Sequence, residues 1–207
     1  MQLQFKIKTA LAFSFTLLTL PLQVKAEASE GSLKTHNLGF GAGFLSGYGL
    51  TYRHWYPSGN GYQLAFIPIA TVNEHRTFFN SSTGAIGLHS LHQTLHSNFF
   101  GYYGGHYNFT FEKNTNARNS NIPVWTEQSN NVLHNIYAGG GMGLEVHVWN
   151  VNVSVMAGYA ANSQMEKNEG NYFDYNSQKV IPNSDSGKWK NTFELQPSGE
   201  VALFYSF

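Results

Sequence analysis

The chain contains no cysteine among its 207 residues, so no disulfide holds its fold. Charge is scarce: Asp, Glu, Lys and Arg together make up 12% of the residues, well below the usual share in a soluble domain. Neither sign dominates, with 12 Lys plus Arg against 12 Asp plus Glu. A nucleic-acid binder normally presents a basic face, and this balance argues against that class. Long apolar runs are missing as well. The one sustained stretch, residues 10–22 (ALAFSFTLLTLPL), falls short of the ~20 residues a spanning helix needs. Insertion into a membrane would therefore have to use strands.

That short run fits a different role. Lys6 and Lys8 form a positive segment before it, and Val24-Lys25-Ala26 places small residues three and one before a cut. The pattern predicts a signal peptide over residues 1–26, with a mature, exported chain from Glu27.

What the chain does have is aromatic residues (15%) and 21 glycines, on a polar average. Those features fit alternation of apolar and polar residues. In IYAGGGMGLEVHV (136–148), Ile136, Ala138, Met142, Leu144, Val146 and Val148 share one face. Tyr137, three glycines, Glu145 and His147 share the other. Trp149-Asn150 makes a short turn, and VNVSVMAGYA returns with Val151, Val153, Val155, Ala157 and Tyr159 on one face. Similar strands are expected at 38–44, 48–56, 62–72, 85–96, 99–111 and about 198–207, with Pro68 implying a bulge or an interrupted ladder. The connections sort into two classes. Pro57–Asn60, Ser97-Asn98 and Trp149-Asn150 are tight turns, whereas 73–84, 112–133 and 162–192 are long, polar loops. The connection near Leu45–Gly47 alone breaks the alternation by being short. Short turns at one end and long loops at the other suit an outer-membrane barrel.

The chain ends Val201-Ala-Leu203-Phe-Tyr205-Ser-Phe207, with an apolar residue at the last position and at every second position before it. With the signal peptide, this ending resembles the assembly signal of bacterial outer-membrane β-barrels. The mature chain resembles, as a pattern, small eight-stranded barrels such as OmpA-type membrane domains. The resemblance implies that Phe207, Tyr205 and Leu203 are read by the barrel assembly machinery. It implies an all-β fold, an eight-stranded antiparallel up-and-down transmembrane β-barrel over 27–207, in contact with outer-membrane lipid. A monomer with no cofactor is expected. Aromatic girdles are expected from Trp55, Tyr56, Tyr62, Phe99, Trp149 and Phe207 at the short-turn end. Phe44, Tyr48, Phe109, Phe111 and Tyr159 would line the other end.

Strand parity aims Arg53, Glu145 and Glu200 inward, and charges in so narrow a lumen should pair, with His106 or His147 completing a polar network. Nine histidines raise the question of a metal. His89, His92, His96 and His106 are close in sequence, but on strands they read as lumen or rim residues, and no metal site is expected. His96-Ser97 invites comparison with lipid A deacylases, barrel enzymes that use a histidine base and a serine nucleophile with one residue between them. Here the two are adjacent, so on a strand they point to opposite faces. The glycine clusters lie in no phosphate-loop context and leave room inside a narrow barrel. The expected role is therefore structural or surface-interacting, in the bacterial outer membrane and without an open pore. A lipid-modifying enzyme is the alternative.

Overall fold

The structure, a computed structural model, describes residues 35–117, 126–174, 177, 179–182 and 186–207. The expected signal peptide over 1–26 lies outside them. Among the described residues all regular structure is strand: β1 His36–Gly43, β2 Gly47–Trp55, β3 Asn60–Val72, β4 Arg76–Gln93, β5 Ser97–Ala117, β6 Thr126–Val148, β7 Val151–Asp174, β8 Lys179–Pro182 and β9 Trp189–Ser206. Each strand pairs antiparallel with its chain neighbour from β1 to β7, and β9 pairs with both β7 and β1. The sheet thus closes on itself as a ring of eight, with β8 a small addition to the end of β7. This is the eight-stranded up-and-down antiparallel architecture read from the sequence.

Alternation explains the wall. On β9, Val201, Leu203 and Tyr205 point out and are 54–55% exposed, while Ala202, Phe204 and Ser206 point in and are buried. The β6–β7 hairpin turns at Trp149-Asn150 as expected, pairing Val148 with Val151. Trp149 takes a positive φ of 55° there, a left-handed conformation that a non-glycine residue adopts only in tight turns.

The three long loops are corrected. Residues 73–84 shrink to a turn at 73–75, because β4 begins at Arg76. Residues 112–133 are strand up to Ala117 and again from Thr126, with 118–125 outside the described residues. Most described residues of 162–192 belong to β7, β8 and β9. The reason is that most positions in these extensions are polar and their few apolar residues give little alternation: Phe78-Phe79 are adjacent, and Phe193 and Leu195 alternate only briefly. Ladder hydrogen bonds sustain a strand without a continuous apolar face, so the period-two hydrophobic signal stays weak. The turn expected at Ser97-Asn98 sits earlier, at 94–96, so His96 lies outside the strand assigned to it.

Strand lengths are unequal. β1 and β2 have 8 and 9 residues, whereas β4 to β7 have 18 to 24. Above the β1–β2 hairpin the wall is therefore notched. The β2–β3 ladder stops at Leu50–Phe66 and the β1–β9 ladder at Gly43–Glu200. Pro68 and Pro197 both lie just beyond those limits, where their strands have become edges. Proline lacks a donor, and an edge is where that absence costs no ladder bond. The expected interruption at Pro68 is thus a lost neighbour rather than a bulge. The one irregularity in the β4–β5 register lies at Ser90/His92.

Candidate functional site: the barrel interior

The interior is filled in two layers. The layer nearer the short turns centres on Arg53, which is fully buried with Glu145 and makes an ion pair with it. Arg53 Nε donates to Gln63 Oε1 at 2.8 Å, and Nη2 donates to Ser154 Oγ at 3.2 Å. Its guanidinium carbon lies 4.4 Å from the Phe204 ring centre and 5.3 Å from that of Phe100. Asn152 bridges onward: its amide donates to Asn37 Oδ1 at 2.9 Å and reaches Glu145 Oε1 at 3.4 Å. Trp55 packs edge-on against Phe100, with ring centres 5.5 Å apart. Desolvating an arginine is costly, and this layer compensates with a carboxylate, several acceptors and two aromatic faces.

Register builds the layer. Arg53 lies directly across from Asn37 on β1 and Gln63 on β3, and Glu145 lies across from Ser154 on β7. Small residues make the space. A Cβ on Gly143 would sit 2.5 Å from Phe100 Cζ and 2.7 Å from Met156 Cγ.

The second layer, toward the long strand extensions, holds Glu200, His106, Ser82, Tyr48 and Tyr137. Glu200 accepts from the backbone N–H groups of Leu45 and Ser46. His106 Nε2 lies 2.8 Å from Ser82 Oγ, and its ring stacks on Tyr137 at 5.3 Å between centres. The Asn108 amide donates to the Tyr48 hydroxyl at 2.6 Å, and Tyr48 in turn bonds Asn80.

The inward residues named from the sequence thus divide. Arg53 meets Glu145, and His147 Nδ1 lies 3.7 Å from Glu145 Oε1 at the rim of that layer. Glu200 makes no direct contact with Arg53 among the described residues and engages backbone instead. His106 belongs to the second layer. Gln63, Asn37, Asn152, Ser154, Phe100 and Phe204 complete the Arg53 surroundings; of these the sequence marks Asn152 and Ser154 as inward, without linking them to Arg53. Only the register shows that the six meet.

Several positions differ from expectation. Trp55 is 1% exposed and belongs to the interior, not to a girdle, because it shares the face of Arg53. Tyr48 also turns inward through its hydroxyl bonds. Tyr56, Phe99, Trp149 and Phe207 do stand outward at the short-turn end. There His36 bonds the Tyr52 hydroxyl through Nδ1 at 2.7 Å and lies 4.6 Å from the His54 ring. His89 bonds Asn60, His92 is exposed beside the bulge, and His96 is exposed in the 94–96 turn. His89, His92 and His96 thus have separate surroundings. Among the described residues no group of three His, Cys, Asp or Glu could hold a metal ion. Ser97 Oγ pairs with Thr94 Oγ1 at 3.0 Å. The outward chain-end residues Leu203, Tyr205 and Phe207 are 55–63% exposed.

No family model matches this chain, and no curated protein is significantly similar to it.

Proposed function

We propose that this chain is an integral outer-membrane β-barrel with a structural or surface-interaction role and a filled, non-conducting interior. One observation carries the membrane reading. Among the described residues, none of the outward positions of β1, β2, β3 up to Phe66, β4 from Thr83, β5 over 99–107, β6 over 136–148, β7 over 151–159 and β9 over 197–205 is Asp, Glu, Lys or Arg. Instead the wall exposes large apolar groups on several strands. Phe40 is 69% exposed, Phe66 53%, Met142 59%, Val155 57% and Leu203 55%. Such a continuous belt facing water would be an aggregation hazard, whereas hydrocarbon is the solvent it suits. The polar extensions, with Arg76, Glu112, Lys167 and Glu169, then project into water on the cell surface and offer the interaction surface. Leu203, Tyr205 and Phe207 would be read by the assembly machinery. Arg53, Glu145, Trp55, Phe100 and Phe204 are all 0–1% exposed in the interior, which supports a closed barrel.

The lipid-modifying alternative gains no support from geometry. His96 stands in a turn, Ser97 bonds Thr94, and the Ser82–His106 pair lies buried inside the barrel.

Cell fractionation tests the reading. The protein should sediment with the outer membrane and shift its gel migration on heating, because a folded barrel resists detergent. Recovery as a soluble periplasmic species with no heat-dependent shift would refute it.

A further inference from the structure

The β1–β2 hairpin is short, with strands of 8 and 9 residues, and its connection does not stand up as a loop. It folds down into the mouth. Leu45 is 0% and Ser46 2% exposed. The two oxygens of one carboxylate, Glu200, accept from Leu45 N–H at 3.1 Å and from Ser46 N–H at 3.2 Å. Gly47 turns the chain at φ 77°, a left-handed conformation that glycine adopts without a Cβ penalty. The opposite wall is cut to fit. A Cβ on Gly84 of β4 would lie 2.0 Å from the Ser46 carbonyl oxygen. Tyr48 N–H then donates to Ser82 Oγ at 3.2 Å as the chain climbs back into β2. A turn left in solvent would satisfy its N–H groups with water. This one depends on a single buried acid.

We propose that the β1–β2 turn is a seated plug, latched in the barrel mouth by the Glu200 carboxylate and released when that carboxylate takes up a proton. An ionised carboxylate offers an acceptor oxygen to each of the two N–H groups. A protonated acid keeps one free acceptor and turns a donor toward the other N–H, so one bond is lost and the other loses its charge. The groups facing Glu200 leave it as the element that decides. Arg53 of β2 and Tyr102 of β5 feel its charge. Glu145 of β6 is committed to Arg53. Across from Glu200, β7 presents Met156 and β1 presents Gly43. His106 of β5, beside the seated Gly47, is a further titratable group facing this turn. Release uncovers a recess lined by Glu200, Tyr102, Ser82 and His106. It opens no channel, because the Arg53 layer beneath stays in place.

The absence of cysteine makes the test direct. Ser46→Cys places a small thiol on the plug, Ala202→Cys places one deep in the interior, and Ser58→Cys one on an exposed turn. Methanethiosulfonate labelling of the folded barrel in detergent is normalised to the Ser58→Cys rate. At neutral pH the Ser46→Cys thiol should be protected. At about pH 4, near the ordinary carboxyl pKa, its rate should rise roughly tenfold or more, the scale of one lost charge-assisted hydrogen bond. Ala202→Cys should stay protected at both. Adding Glu200→Gln should give fast Ser46→Cys labelling already at neutral pH, as should Gly84→Ala, which unseats the turn by volume alone. A Ser46→Cys thiol equally protected at both pH values overturns the proposal without need of a second variant. Protection that persists in Glu200→Gln at neutral pH and vanishes in acid assigns the latch to His106 and overturns the role of Glu200. The assay is independent of where the protein resides in the cell, so its failure and that of the membrane reading are separate results.

Discussion

Arg53–Glu145 and Arg76–Glu112 join the same two kinds of group under opposite conditions. The first pair is 0% exposed on both sides and sits between two aromatic rings. The second, at 2.9 Å, is 51% exposed at the arginine and 27% at the glutamate, and lies where β4 and β5 have left the apolar belt. Geometry alone does not rank them. In the interior each charge has lost its water, so removing one partner strands the other. On the extension, water and salt replace a missing partner at little cost. A close ion pair is thus a requirement of the core in one place and an ornament of the surface in the other.

That contrast sets a ladder of expected effects. Glu145→Ala leaves Arg53 buried and unpaired and should destabilise the barrel by about 3–5 kcal/mol in denaturant unfolding. A loss under about 1 kcal/mol would erase the distinction between the two pairs. Gly143→Ala should cost about 1–3 kcal/mol, since its methyl would press on Phe100 and Met156 in a core without slack. Gly199→Ala faces outward with nothing within 4 Å and should be close to neutral in the same assay. The double variant Arg53→Met/Glu145→Leu sharpens the comparison further. It removes both charges at similar volume and should fall within about 1–2 kcal/mol of wild type on either side, far from the single variant. Glu112→Gln should change stability by at most about 1 kcal/mol, and less as salt is added.

The smallest effect belongs to Glu169, on the β7 extension. A hydrogen bond and charge from Lys167 hold its carboxyl below the usual range. A depressed folded-state pKa means a contribution present above the unfolded-state value, ~4.3, and lost as pH falls through the folded one. Glu169→Gln and wild type should therefore differ slightly at neutral pH and converge in acid. Unfolding midpoints measured across that range check the sign.

Much of this architecture was legible in the residues, and the misses have physical causes. Alternation over 136–160 located the wall, because one face is apolar and the other is not. The same signal failed over 76–84 and 162–171, where most positions are polar and the adjacent Phe78-Phe79 break the alternation. Register was the second limit. Taking Pro57–Asn60 as the turn would pair Arg53 with Leu64, one residue away from its partner Gln63, and a one-residue slip moves every side chain to the opposite face. Arg53, Glu145 and Glu200 were recognisable as inward. Their division into two layers depended on the short β1–β2 connection, whose brevity was visible but whose inward fold was not. Trp55 shows a conflict between two signals, since its place at a strand end reads as a girdle while its parity with Arg53 reads as inward, and parity prevails.

The central claim is that this wall faces hydrocarbon and encloses a dry interior. Spin labels placed one at a time on cysteines at Val201, Ala202, Leu203, Phe204 and Tyr205, in protein folded into lipid bilayers, test it most directly. Oxygen, which partitions into hydrocarbon, should collide readily with labels at 201, 203 and 205. A water-soluble nickel chelate should reach none of the five, and labels at 202 and 204 should be shielded from both reagents. Free access of the nickel chelate to 201, 203 and 205 would contradict a lipid-facing wall, and free access to 202 and 204 would contradict a filled barrel.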